Sequence, residues 1–160
     1  MTVTIRPAAA ADVPLILRFV RELAEYEREP DAVKATEPML EAALFGDRAV
    51  AEAVIASLGG EDVGFALFFH NFSTWTGRPG IYLEDLYVTP AARGSGAGKA
   101  LLRHLAGLAI DRGCARFEWA VLDWNTPAID FYRAMGAQPM DEWTVQRVTG
   151  DALARLAGRD

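Results

Sequence analysis

Arg93-Gly94-Ser95-Gly96-Ala97-Gly98-Lys99 stands between a strand-like run, Ile81 to Val88, and a helix-like run, Ala100 to Arg112. Glycine at three alternate positions strips the side chains from one turn, so that backbone N–H groups at a helix N-terminus can come close to an anionic ligand. The stretch reads as a phosphate cradle. Spacing excludes two familiar cradles: a P-loop needs Gly where Arg93 stands and Ser or Thr at Ala100, and a dinucleotide fingerprint needs its third Gly at Lys99. The plainer alternative is a flexible strand-to-helix turn with no ligand.

Around this turn the 160-residue chain has room for one domain with a full core and not for two of ordinary size, so a single domain over residues 1–160 is expected. Hydrophobic residues at 51% and charged residues at 24% give a globular balance, without repeats or low-complexity tracts. No apolar run reaches the length that spans a bilayer, and Met1-Thr2-Val3-Thr4-Ile5-Arg6 lacks the layout of a secretion signal. A cytoplasmic protein without a membrane partner is therefore expected. The one cysteine, Cys114, cannot form an internal disulfide, which fits a reducing compartment, and it reads as core. A formal net charge of -6 argues against a nucleic-acid partner and favours a cationic substrate. An anionic ligand then needs local positive charge, which Arg93, Lys99 and the loop N–H groups concentrate.

Val3 to Arg6 reads as a strand, after which Asp12 can cap a helix with Pro14 in its first turn. Val13, Ile16, Val20, Leu23 and Ala24 then recur at helical spacing through about Glu29. Thr36 starts a second helix, Met39 to Phe45, stopped at Gly46. Two strands, Val50 to Leu58 and Val63 to Phe72, join through Gly59-Gly60, and a loop from Ser73 to Gly80 leads into Ile81 to Val88. Leu101, Leu102, Leu105, Leu108 and Ala109 mark the helix after the cradle, and Gly113 ends it. Phe117 to Leu122 reads as a strand, Asn125 and Pro127 open another helix ending at Gly136, and a closing strand, Thr144 to Val148, precedes a helix over Asp151 to Leu156. The order is mixed α and β: an antiparallel meander, then a strand-helix-strand unit that must be parallel, packed as one sheet with helices on both faces.

Taken together, Ile5-Arg6-Pro7, the run Tyr82-Leu83-Glu84-Asp85-Leu86-Tyr87-Val88, the glycine loop and Trp124-Asn125-x-Pro127-Ala128-x-x-Phe131-Tyr132-x-x-x-Gly136-Ala137 resemble the diamine (spermidine/spermine) acetyltransferase branch of the GNAT family over nearly the whole chain. Ser73-Thr74-Trp75 and Ala120-Val121-Leu122-Asp123-Trp124-Asn125 are closer to the thialysine type within that branch. The polyamine type normally carries an acidic residue near Ser73, and none stands there. The resemblance implies a GNAT fold, a central, mostly antiparallel sheet whose parallel pair splays apart. It also implies acetyl-CoA as donor, a primary amine on a small molecule as acceptor, no metal, and a homodimer with Trp143 as a plausible anchor.

The resemblance also implies a role for each matching residue. Leu86, Tyr87 and Val88 would pair through their backbone with the pantetheine amides, as an added strand does. Gly94, Ser95, Gly96, Ala97, Gly98 and Lys99 would hold the pyrophosphate, with Arg93 supplying charge, and Asn125 would bond the cofactor arm, although helix capping explains it equally well. Tyr26, Glu27 and Trp75 would line the amine pocket; a solvated acidic helix end with Glu22, Glu25 and Glu29 is the other reading of Glu27.

An alkyl ammonium with a pKa near 10 is about one part in a thousand neutral at pH 7, a handicap of roughly 4 kcal/mol for a nucleophile. Something must take that proton. The resemblance implies Glu84 as the acceptor, directly or through a water, and Asp85 as an attraction for the substrate; on an undisturbed strand the two point to opposite faces, so both reach one site only if a bulge intervenes. An ordinary pair of strand-edge charges is the alternative. The resemblance likewise implies that Tyr132, also a packing residue beside Phe131, protonates the departing thiolate. His70 and His104 lack metal-ligand spacing, and Cys114 is not needed as a nucleophile because an amine attacks a thioester directly. A sensor that binds an acyl-CoA without turnover, and an enzyme for peptide amines, are the competing functions; Glu84 and Tyr132 would be idle in the sensor.

Overall fold

The computed structural model describes residues 2–159. The chain divides into two compact units, Met1–Leu122 and Asp123–Asp160. Among the described residues the first unit holds one five-stranded sheet in the order β1 (Val3–Pro7), β2 (Glu52–Leu58), β3 (Glu61–Ser73), β4 (Arg78–Val88) and β5 (Arg116–Trp119). The first four strands are antiparallel neighbours and β4 with β5 is parallel, so the expected meander followed by a crossover is present. Helix α3 (Ala97–Asp111) makes that crossover, and α1 (Val13–Tyr26) and α2 (Glu37–Phe45) lie between β1 and β2 in the chain.

Alternation along the strands divides the core. Ile16 and Phe19 of α1 and Leu44 of α2 pack on Ala53, Ile55, Phe65 and Tyr87, one face of the sheet. Alternate residues such as Val54, Ala56, Phe68 and Leu83 are buried on the other face with Ala97, Leu101, Leu102 and Leu105 of α3. Phe19, which the helical repeat had not marked, is fully buried, with ring centroids 5.7 Å from both Phe65 and Tyr87.

Several boundaries move for identifiable reasons. Asp12 sits at the N-cap of α1 but makes no cap bond; its carboxylate instead takes both Arg6 nitrogens at 2.7 and 2.9 Å and the Ala9 N–H at 2.7 Å. Helix α1 ends at Tyr26, short of Glu29, because Arg28 turns left-handed at φ 66° and the Arg28 and Glu29 N–H groups bond back to Glu25 and Ala24. Strand β2 begins at Glu52 because the Val50 and Ala51 N–H groups bond to the Ala43 carbonyl, at 2.8 and 3.2 Å. The loop expected from Ser73 shrinks to a tight turn, since β4 already pairs with β3 at Arg78. Left-handed Gly96, φ 91°, lets α3 start at Ala97 rather than Ala100.

Two corrections concern strands. Phe117 to Leu122 is a strand only through Trp119, because β5 finds partners only along Gly80–Leu83. Thr144 to Val148 is not a strand: Val145 and Val148 stand three apart and would share no strand face, no ladder partner exists for the segment among the described residues, and Val145 is 81% exposed. The second unit otherwise consists of α4 (Thr126–Ala134) and α5 (Gly150–Leu156).

Two glycines make opposite demands on a methyl group. A Cβ on Gly64 of β3 would lie 2.5 Å from the Tyr87 carbonyl oxygen, whereas one on Gly107 of α3 would meet nothing within 4 Å. Gly64→Ala is expected to destabilise by about 1–3 kcal/mol, since the two strand backbones must separate, and Gly107→Ala to stabilise by up to about 1 kcal/mol from helix propensity alone. Urea denaturation of the two variants against the parent checks both signs.

Candidate active site

The ladder between β3 and β4 breaks at one place. Leu67 faces Asp85 and the next residue, Phe68, faces Leu83, so Glu84 is an extra residue without a partner on β3. This is a β-bulge, which bends the strand and gives two consecutive residues a shared direction. The bulge coincides with the end of β5, whose pairing stops at Leu83. From Glu84 to Val88 the β5-side edge of β4 therefore carries no strand pairing among the described residues, and its backbone groups are available to an extended ligand. The expected splay is present, and the disturbed pairing that Glu84 and Asp85 needed accompanies it.

Three carboxylates share this region. Asp85 is pushed up to about 6 by burial, then by the charges of Glu84 and Glu27. Burial raises Glu27 as well, with Glu84 adding to it. These mutual effects place Glu84 and Asp85 in the same electrostatic neighbourhood as Glu27, which immediately follows α1 and is held by the left-handed turn at Arg28. Glu84 is the exposed member of the trio. Burial also raises the Tyr82 phenol, with Glu84 and Glu118 adding to the effect; the sequence reading had passed over Tyr82, and only its neighbours in space mark it.

The glycine loop has the left-handed backbone that its sequence leads one to expect. Gly94 and Gly96 are left-handed, at φ 82° and 91°, and Gly96 caps α3. The Gly98 and Lys99 N–H groups fall in the first turn, outside the helical ladder, while the Ala97 N–H donates to the Ser95 hydroxyl oxygen at 3.3 Å. Lys99 lines an open cavity of about 390 Å³ with Gly96, Ala100, Arg103 and His104. Arg93 lies over the Tyr26 ring at 5.0 Å and donates from Nε to the Val88 carbonyl at 3.3 Å, so the loop begins where α1 and β4 end.

Other expected residues are placed elsewhere. Trp75 is 79% exposed in the β3–β4 turn, with the Arg116 guanidinium 6.0 Å from its ring. The strand rise puts that turn on the order of 20 Å along β4 from the bulge, so it is not brought to the three carboxylates. Cys114, read as core, is only partly buried and lies 3.9 Å from His70 Nδ1. His70 joins Arg112 and Glu52 in a polar cluster that ties α3 to β2 and β3. Among the described residues no group of three or more His, Cys, Asp or Glu is arranged to hold a metal, and no helix is long and apolar enough to cross a membrane. In the second unit Asn125 caps α4 by accepting the Ala128 N–H at 3.4 Å, and Tyr132 lies on that helix with its ring 5.6 Å from Phe131.

A model of the Acetyltransferase (GNAT) family matches residues 16–137. The chain is 42% identical to a thialysine N-epsilon-acetyltransferase of Sus scrofa, over 99% of both chains, and 44% identical to that of Bos taurus, over 98% of both. It is 32% identical to an L-ornithine N5-acetyltransferase of Arabidopsis thaliana, covering 95% of this chain and 86% of that one. Among solved structures, an integron cassette protein from the mobile metagenome of V. cholerae superposes with a TM-score of 0.81 at 30% identity, over 98% of both chains. A glycine loop opening a helix, a bulged strand with an unpaired edge and full-length relatives above 40% identity converge: the chain belongs to the GNAT acetyltransferase family.

Proposed function

We propose that this protein is an acetyl-CoA-dependent N-acetyltransferase for a primary amine on a small molecule, a diamine or a lysine-like amino acid, and that residues 1–160 act as one such domain. The observation that carries this reading is the bulge at Glu84, which joins two carboxylates to the open edge of β4. The names of the thialysine and ornithine enzymes support an amine at the end of a short aliphatic chain. A cytoplasmic location rests on the single cysteine, and a homodimer, with no nucleic-acid or membrane partner, on charge and resemblance.

Glu84 and Asp85 take the ammonium proton between them. Exposed Glu84 meets the cation first, and the raised basicity of Asp85 suits a proton acceptor near neutral pH. Glu27 adds a third negative charge for a second cationic group of the substrate, with Tyr26 beside it. The amine nitrogen bonds to the thioester carbonyl carbon and sheds its second proton, the carbon–sulfur bond breaks, and Tyr132 protonates the departing sulfur, its phenolate regaining the proton that the nitrogen sheds. The N–H groups of Gly94, Ser95, Gly96, Ala97, Gly98 and Lys99, with Arg93, hold the pyrophosphate, the backbone of Leu86, Tyr87 and Val88 pairs with the pantetheine arm, and Asn125 steadies it.

Coenzyme A release across thialysine, lysine, ornithine, putrescine and spermidine tests the activity, and silence with every amine would sink the reading. For the best amine, kcat/KM is expected to fall on the acid side with an apparent pKa near 6, a property of the carboxylate cluster as a whole. Asp85→Asn should remove that limb, and Glu84→Gln should move it to lower pH, because one negative neighbour is gone. Tyr132→Phe is expected to lower turnover by about 10²-fold or more while the KM for acetyl-CoA changes little; steady-state kinetics in both substrates decide it.

Asp85 also sets a pH dependence of stability. Its folded pKa lies above the unfolded value of 3.8, so the folded protein binds the extra proton, and that contribution is complete below about pH 4 and lost as pH rises through about 6. Asp85→Asn is therefore expected to match the parent near pH 4 and to exceed it at pH 8 by up to about 3 kcal/mol. Denaturant titrations at the two pH values check the sign.

A further inference from the structure

Tyr87 stands two residues beyond Asp85 on β4, opposite Phe65, with its side chain in the core cluster beneath α1. Its ring is 5% exposed and packs on Phe19. A phenylalanine would fill that volume as well, so the hydroxyl is not explained by packing. It donates to Glu22 Oε1 at 2.8 Å, and the other oxygen of Glu22 lies 3.1 Å from Arg18 Nε. Burial, then the hydrogen bond to Glu22, push the phenol up to about 12, so it remains a donor through neutral pH. One turn beyond Glu22 come Tyr26, on the same helix face, and Glu27, which shares the electrostatic neighbourhood of Glu84 and Asp85.

We infer that Tyr87 and Glu22 form a positioning pair, whose hydrogen bond pins the end of α1 to β4 just past the bulge and so sets where Glu27 stands against Glu84 and Asp85. This inference rests on the acetyltransferase reading for its kinetic consequence. Two loosely packed elements would carry the three carboxylates to variable separations, and an amine with two cationic groups would bind them less well. The bond joins side chains 65 residues apart, on the two elements that supply the trio. Tyr87 thus has one function on each side: its main chain lies along the open edge of β4, and its hydroxyl holds the opposite wall.

Tyr87→Phe removes this bond and keeps the ring. The expected result is about a tenfold rise in KM for the best diamine or amino-acid substrate, the worth of one hydrogen bond to a charged group. The KM for acetyl-CoA should stay within about twofold, and amide exchange at Leu23 to Glu27 should accelerate. Glu22→Leu should reproduce this pattern, and Glu22→Gln, whose amide oxygen still accepts from the phenol, should recover much of the affinity. The Tyr87→Phe/Glu22→Leu double variant should be no worse than either single variant. An unchanged amine KM, an equal rise in both KM values, or unchanged exchange would overturn the pair. A parent protein that binds acetyl-CoA yet acetylates no amine would overturn the enzymatic reading instead, and exchange would still decide whether the bond holds α1.

Discussion

Strand β4 carries one residue more than β3 between Asp85 and Leu83, and the sheet absorbs it at Glu84. An extra residue cannot be accommodated by stretching, because inter-strand spacing and the alternation of side chains are both fixed by the backbone ladder. The strand bulges instead. At the same place neighbouring Glu84 and Asp85 come into one electrostatic neighbourhood, and the pairing with β5 goes no further than Leu83. The extra residue and the open edge of β4 thus lie side by side.

Charge is distributed around the same point. An acidic chain, at net -6, places cationic Arg93 and Lys99 on either side of left-handed Gly94 and Gly96. It gathers anionic groups at the bulge, and burial holds Asp85 and Glu27 above their ordinary range. Keeping like charges together costs stability, and the surrounding core supplies it through Phe19, Phe65 and Tyr87 packed beneath α1. The raised basicity of Asp85 and its local cost to stability are the same electrostatic fact.

Much of the fold was legible along the chain because local rules decide it. Gly59-Gly60 marks a hairpin, Thr36 caps α2 through the Met39 N–H, and Gly113 ends the helix before β5 in the left-handed region. Errors fell where a distant partner intervenes. Asp12 left its cap for Arg6, Val50 and Ala51 gave their N–H groups to Ala43, and Thr144 to Val148, β-branched at both ends, had no strand to join among the described residues. Periodicity records which side chains prefer burial, whereas a ladder exists only if a second backbone supplies its bonds.

The residue types of the site lay in the sequence: a glycine loop before a helix, adjacent carboxylates in a strand, and an acidic end to α1. Their order along the chain fixed the fold class and the kind of ligand, because N–H geometry at a helix start and the alternation of a strand are local properties. Only the tertiary structure decided that Glu84 and Asp85 share an electrostatic neighbourhood with Glu27, that Trp75 sits a strand's length away, and that the Tyr87 hydroxyl reaches Glu22. Those outcomes depend on the register between β3 and β4 and on how α1 lies across the sheet. Both are set by contacts between residues far apart in the chain, which no local pattern encodes.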